Sequence, residues 1–107
     1  MKYQVLLLPE AEDDLVDIYG YVVKNDSINH ADRLIDEIES ACSSLCDLPQ
    51  RGHRVPELKR IHVDSFKEIH FKPYRIVYQV IGNKVYIHAV LDGRRELQEL
   101  LEKRILR

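Results

Sequence analysis

The residues best suited to chemistry cluster late in the chain: Glu68, His70, Arg75, Gln79, Tyr86, His88, Arg94 and Arg95. A guanidinium recognises phosphate through a planar fork of donors. Histidine and glutamate can move protons near neutral pH. Cleaving RNA at a 2′-hydroxyl needs a base, an acid and cations that stabilise the phosphorane, and this set contains each. The plainer alternative is a solvated sheet face whose charges pair with their neighbours. Arg75 fits that alternative least, because it interrupts a Tyr-X-Ile-Val-Tyr strand.

These residues come together only if the strands carrying them align. Residues 74–92 read as two alternating runs joined by Gly82-Asn83, a strong hairpin signal. With a two-residue turn, Ile81 pairs with Lys84, Gln79 with Tyr86, Val77 with His88 and Arg75 with Val90. The opposite face then holds Ile76, Tyr78, Val80, Val85, Ile87, Ala89 and Leu91, which should cover helices. A turn at Lys72-Pro73 adds a strand from Lys67, placing His70 opposite Arg75, Glu68 opposite Val77 and Ile69 opposite Ile76. One face therefore gathers Glu68, His70, Arg75, Gln79, Tyr86 and His88, with Arg94 and Arg95 at the strand end.

Upstream, Lys2 to Leu8 reads as a strand. Pro9 suits the first helical turn, and the acidic residues after it favour a helix N-terminus. Ala11, Leu15, Ile18 and Val22 recur at helical spacing; Gly20 weakens that helix and suggests close packing. Asn25-Asp26-Ser27 offers N-cap chemistry. A second stripe then runs from Ala31 through Leu34, Ile35, Ile38, Ala41 and Leu45 to Leu48, stopping before Pro49. Two helices so joined lie antiparallel. Residues 49–60 read as a basic, proline-bounded loop, and Leu97, Leu100, Leu101 and Ile105 mark a short C-terminal helix. The expected fold is α+β: an N-terminal strand and helical hairpin packed on a small twisted antiparallel sheet, with a short C-terminal helix.

The 107 residues are expected to form one domain, 1–107. No apolar run approaches the roughly 18–20 residues of a membrane span, so a cytoplasmic protein with no membrane contact is expected. Cys42 and Cys46 sit four apart in a helical pattern, a poor geometry for a disulfide. The net charge of −2 conceals a division. Residues 1–48 carry 3 basic and 11 acidic groups, whereas residues 49–95 carry 10 basic and 4 acidic ones together with four of the five histidines. That asymmetry favours an anionic partner for the second half.

The chain resembles the RelE/ParE superfamily of type II toxin–antitoxin toxins. The resemblance is carried by Tyr74-Arg75-Ile76-Val77-Tyr78-Gln79-Val80 and Val90-Leu91-Asp92-Gly93-Arg94-Arg95. Ala31-Asp32-Arg33-Leu34-Ile35-Asp36, Pro49-X-X-Gly52, and Val55-Pro56-Glu57-Leu58 with Lys67-Glu68-Ile69 look like the ParE side. The resemblance implies a growth-inhibiting toxin bound by a cognate antitoxin in a hetero-oligomer, with no metal or cofactor. ParE-like members poison DNA gyrase; RelE-like members cleave mRNA on the ribosome without metal. For a nuclease, the resemblance implies Arg75, Arg95 and Glu57 as catalytic residues, and the sheet face adds His88; Lys67, Glu68, His70, Tyr86 and Arg94 are expected to bind whichever branch holds. Only Lys67 remains of the nucleases' lysine pair, and their C-terminal tyrosine falls near Leu101. The ParE-like reading is therefore preferred, the alternatives being a ribosome-dependent endoribonuclease and an inactive toxin-like remnant.

Overall fold

Alternation, caps and turn residues shape the chain as their chemistry dictates. A computed structural model describes residues 2–106. It contains strand β1 (Gln4–Leu7), helices α1 (Pro9–Asn25) and α2 (Ile28–Ser43), strand β2 (His53–Arg54) and the short helix α3 (Pro56–Lys59). Strands β3 (Phe66–Phe71), β4 (Tyr74–Ile81) and β5 (Lys84–Asp92) and helix α4 (Gln98–Leu106) complete it. The sheet order is β1-β5-β4-β3-β2. The meander of β3, β4 and β5 is antiparallel as expected, β2 extends it, and β1 joins β5 in parallel.

Pro9 opens α1, and Ser27 caps α2 by accepting from the His30 amide at 3.0 Å, a contribution of about 1 kcal/mol. Gly20 has nothing within 4 Å of the position a Cβ would take, so the expected close packing there is absent. The α2 stripe stops short of Leu48, which is 78% exposed with a left-handed φ of 51°. Pro49 disfavours helix at the residue before it. The chain turns at Leu48 instead, and Pro49 is buried.

The register holds for Ile69–Ile76, His70–Arg75, Gln79–Tyr86 and Ile81–Lys84. It breaks at a bulge: Tyr78 faces Ile87, but Val77 faces Ala89, leaving His88 as the extra residue. Arg75 consequently pairs with Leu91, not Val90. One inserted residue exchanges the faces of everything beyond it. Val90 joins Ile76, Tyr78, Val85 and Ile87 in the core beneath α1 and α2. Ala89 and Leu91 cross to the other face, into a second core with Val55, Leu58, Phe66, Val77, Leu97 and Leu101. The face read as half-solvated is therefore largely covered by α3, α4 and the segments around them.

Asp14 secures this double layer. The β1–β5 ladder ends at Leu7–Ile87, leaving β5 amides beyond it in need of acceptors. Asp14 accepts from the Val90 amide at 2.9 Å and from Arg104 Nη1 at 2.7 Å and Nη2 at 3.1 Å. It thus joins α1, β5 and α4.

Candidate functional site: a buried arginine between two glutamates

The β3–β4 register places Glu68 and Arg75 on the same side of the sheet, and α3 lowers Glu57 onto them. Arg75 donates through Nη1 to Glu57 Oε2 at 2.7 Å and through Nη2 to Glu57 Oε1 at 2.6 Å. It also donates through Nε to Glu68 Oε1 at 2.6 Å and through Nη2 to Glu68 Oε2 at 3.1 Å. The side chains of Arg75, Glu57 and Glu68 are 12%, 16% and 2% exposed. Such burial is tolerable only because each charge is paired and hydrogen-bonded. The bond to Glu57 dominates in holding Arg75 still more firmly protonated, and the Arg75 guanidinium keeps the Glu57 carboxyl below its usual range.

This arrangement limits the chemistry available. Both Glu57 oxygens are engaged, and a carboxyl held low is a weak base near neutrality. All three Arg75 nitrogens are committed to carboxylates, which leaves no free fork for a phosphate.

Two histidines flank the buried carboxylate. His53, the β2 partner of Glu68, brings Nε2 to 3.2 Å from Glu68 Oε2. His70 Nε2 lies 3.6 Å from Glu68 Oε1, and the two imidazoles meet edge to face with centroids 5.1 Å apart.

The Pro49-X-X-Gly52 turn braces the same region from below. Tyr78, fully buried in β4, donates its hydroxyl to the Pro49 carbonyl at 2.6 Å and accepts from the Gly52 amide at 3.0 Å. A Cβ at Gly52 would lie 2.4 Å from that hydroxyl and 2.7 Å from the Glu68 carbonyl, so glycine is required for this close approach.

The structure thus unites Arg75, Glu57, Glu68 and His70, and disperses the rest of the expected set. His88, the bulge residue, packs edge to face on Phe66 at 4.8 Å, and burial lowers its pKa. Lys67 alternates with Glu68 along β3 and lies on the opposite face, while Tyr86 is paired with Gln79 toward the hairpin end. Arg94 and Arg95 border a separate cleft of about 330 Å³ that is also lined by Asp17, Tyr21 and Tyr74. There Arg94 Nη2 holds Asp92 Oδ2 at 2.7 Å, keeping the Asp92 carboxyl below its usual range. Leu101 is fully buried in the second core. His53 was not anticipated, because a two-residue strand shows no periodicity; its only signal was a histidine in the basic loop.

Comparison with known proteins agrees with this architecture. The family described as the ParE toxin of the type II toxin–antitoxin system, parDE, matches residues 5–97. The chain is 28% identical to Toxin ParE3 of Caulobacter vibrioides over 91 residues, which is 85% of this chain and 87% of that protein. Its fold is similar to a chain of a chromosomal ParDE toxin–antitoxin system from P. aeruginosa, with a TM-score of 0.71 and 18% identity over 83% of this chain and 94% of that one. It is also similar to a chain of the RelBE2 toxin–antitoxin complex from Mycobacterium tuberculosis, with a TM-score of 0.65 and 18% identity over 86% of this chain and 92% of that one. The chain belongs to the ParE toxin family of type II toxin–antitoxin systems.

Proposed function

We propose that this protein is a cytoplasmic toxin that inhibits DNA gyrase by binding it, is neutralised by a cognate antitoxin, and cleaves no RNA. The observation that carries this reading is the closed Glu57–Arg75–Glu68 cluster. Its arginine is saturated by carboxylates and its glutamate is held ionised. Burial of Leu101 at the position of the nucleases' tyrosine supports the same reading.

Binding in place of catalysis calls for accessible surface, and the helical hairpin offers it. Val16, Tyr21 and Ile28 are 69%, 68% and 59% exposed. Tyr21 continues into the cleft bordered by Arg94 and Arg95, where apolar and charged groups mix as they do at protein interfaces.

The test uses purified protein in two assays side by side: supercoiling of relaxed plasmid by gyrase, and mRNA integrity in a translating extract. The expected result is blocked supercoiling, restored by a cognate antitoxin, with intact mRNA. Ribosome-dependent cleavage with unimpaired supercoiling would overturn the reading in favour of a nuclease. Loss of neither function would make the chain a toxin-like remnant.

A further inference from the structure

His53, Glu68 and His70 form a cluster in which one ligand atom from each residue lies within 4.8 Å of the others. We propose that these three residues bind a divalent zinc ion, with a water as fourth ligand. Two imidazoles and a carboxylate, with one position open, are a donor set that zinc favours. Zinc bonds of about 2.0–2.1 Å set tetrahedral ligand atoms about 3.3 Å apart. His53 Nε2 and Glu68 Oε2 already stand at 3.2 Å. The two histidine side chains are 60% and 55% exposed, so small rotations bring their nitrogens to that spacing without disturbing either core.

The surroundings suit a cation. Glu57, Glu68 and Arg75 together carry one net negative charge beside two imidazoles. Arg75 holds the Glu68 carboxylate in place, the orienting role that outer groups play around metal ligands. Arg51, which lines this groove, is committed elsewhere: Nη1 donates to the Ser44 and Asp47 carbonyls at 3.1 and 3.0 Å, and Nη2 to Ser44 Oγ at 2.6 Å. The groove is open to solvent.

Zinc at this position would join the two-residue edge strand β2 to β3. It would thereby fasten the Pro49–Val55 segment, and α3 behind it, against the sheet. The proposal is independent of whether gyrase is the target.

The test is isothermal titration of untagged, chelator-treated protein with ZnCl2. One zinc per chain is expected. His53→Ala and His70→Ala should each weaken binding by about tenfold or more, while His62→Ala and Cys46→Ser should leave it unchanged. Because both ligating histidines are exposed, these variants should keep the wild-type urea midpoint without zinc, and only the wild type should gain thermal stability when zinc is added. No binding by the wild type, or binding that survives both histidine substitutions or is lost with Cys46→Ser, would overturn the proposal.

Discussion

Replacing Arg75, whose side chain is only 12% exposed, should cost this protein a large share of its stability. Arg75→Met keeps part of the side-chain stem, against which Gly93 packs closely: a Cβ at Gly93 would lie 3.0 Å from Arg75 Cγ and Cδ. The substitution therefore removes mainly charge. It leaves Glu68, 2% exposed, and Glu57, 16% exposed, facing each other without a cation. Opposite charges about 4 Å apart attract by about 4 kcal/mol at an effective dielectric of about 20, and breaking a buried pair costs about 3–5 kcal/mol. Against a total stability of about 5–15 kcal/mol for a domain, that is a large share. The loss should depend on pH. Arg75 lowers the Glu57 pKa in the folded state, so its stabilisation is full above the unfolded value of about 4.3 and is lost as pH falls through the lower folded value. The gap between wild type and variant should be widest at pH 7 and narrow below about pH 4. Urea unfolding followed by circular dichroism at a series of pH values measures this. Adding Glu57→Gln and Glu68→Gln to Arg75→Met should recover much of the loss, since neutralising every member removes the unpaired charges. A loss under about 1 kcal/mol at pH 7, or one that does not narrow as pH falls below about 4, would refute the reasoning. Loss of toxicity on replacing Arg75 is therefore not, by itself, a sign of catalysis.

Tyr78→Phe should cost about 1–3 kcal/mol, because it strands the Pro49 carbonyl and the Gly52 amide; faster exchange of the Gly52 amide proton would accompany the lower urea midpoint. Gly20→Ala should stabilise α1 by about 1 kcal/mol, there being nothing for the methyl to strike; a lower melting temperature would contradict this. Burial pushes the Cys42 thiol up to about 12, so native protein should react with a thiol reagent at Cys46 alone, and at both cysteines after denaturation. Burial lowers the His88 pKa, so this residue costs stability as pH falls through the unfolded value of about 6.5; proton NMR should place its midpoint below that of a free histidine, and His88→Phe should flatten stability between pH 7 and pH 5.

Most of the architecture was legible because local chemistry and global packing agree. Pro9, Ser27 and Gly82-Asn83 each mark a boundary that the structure keeps. The bulge was not legible as such: strict alternation assigns Ala89 and Leu91 to the wrong face, and the clue is the unbroken apolar run Ala89-Val90-Leu91. That error concealed the second core, which a polar reading of the face left no reason to expect. Asp14 was equally hidden, since an acidic residue early in a helix is explained by the helix end alone. Within the site, Glu68, His70 and Arg75 followed from strand register. His53 and the seating of Glu57 depend on how residues 49–60 fold back, and that path is set by Tyr78, 26 residues beyond Gly52.

The parallel pairing of β1 with β5 also bears on synthesis. Gln4 through Leu7 lie beside Lys84 through Ile87, so the first strand must wait for nearly the whole chain before it can find its neighbour. The helical hairpin is translated early, but its apolar face meets β4 and β5 only after residue 90 has left the ribosome. A nascent chain halted before that point would display an amphipathic hairpin with nothing to cover it. Interrupted translation should therefore yield fragments fit for proteolysis, and only completed chains would reach a form able to engage a target.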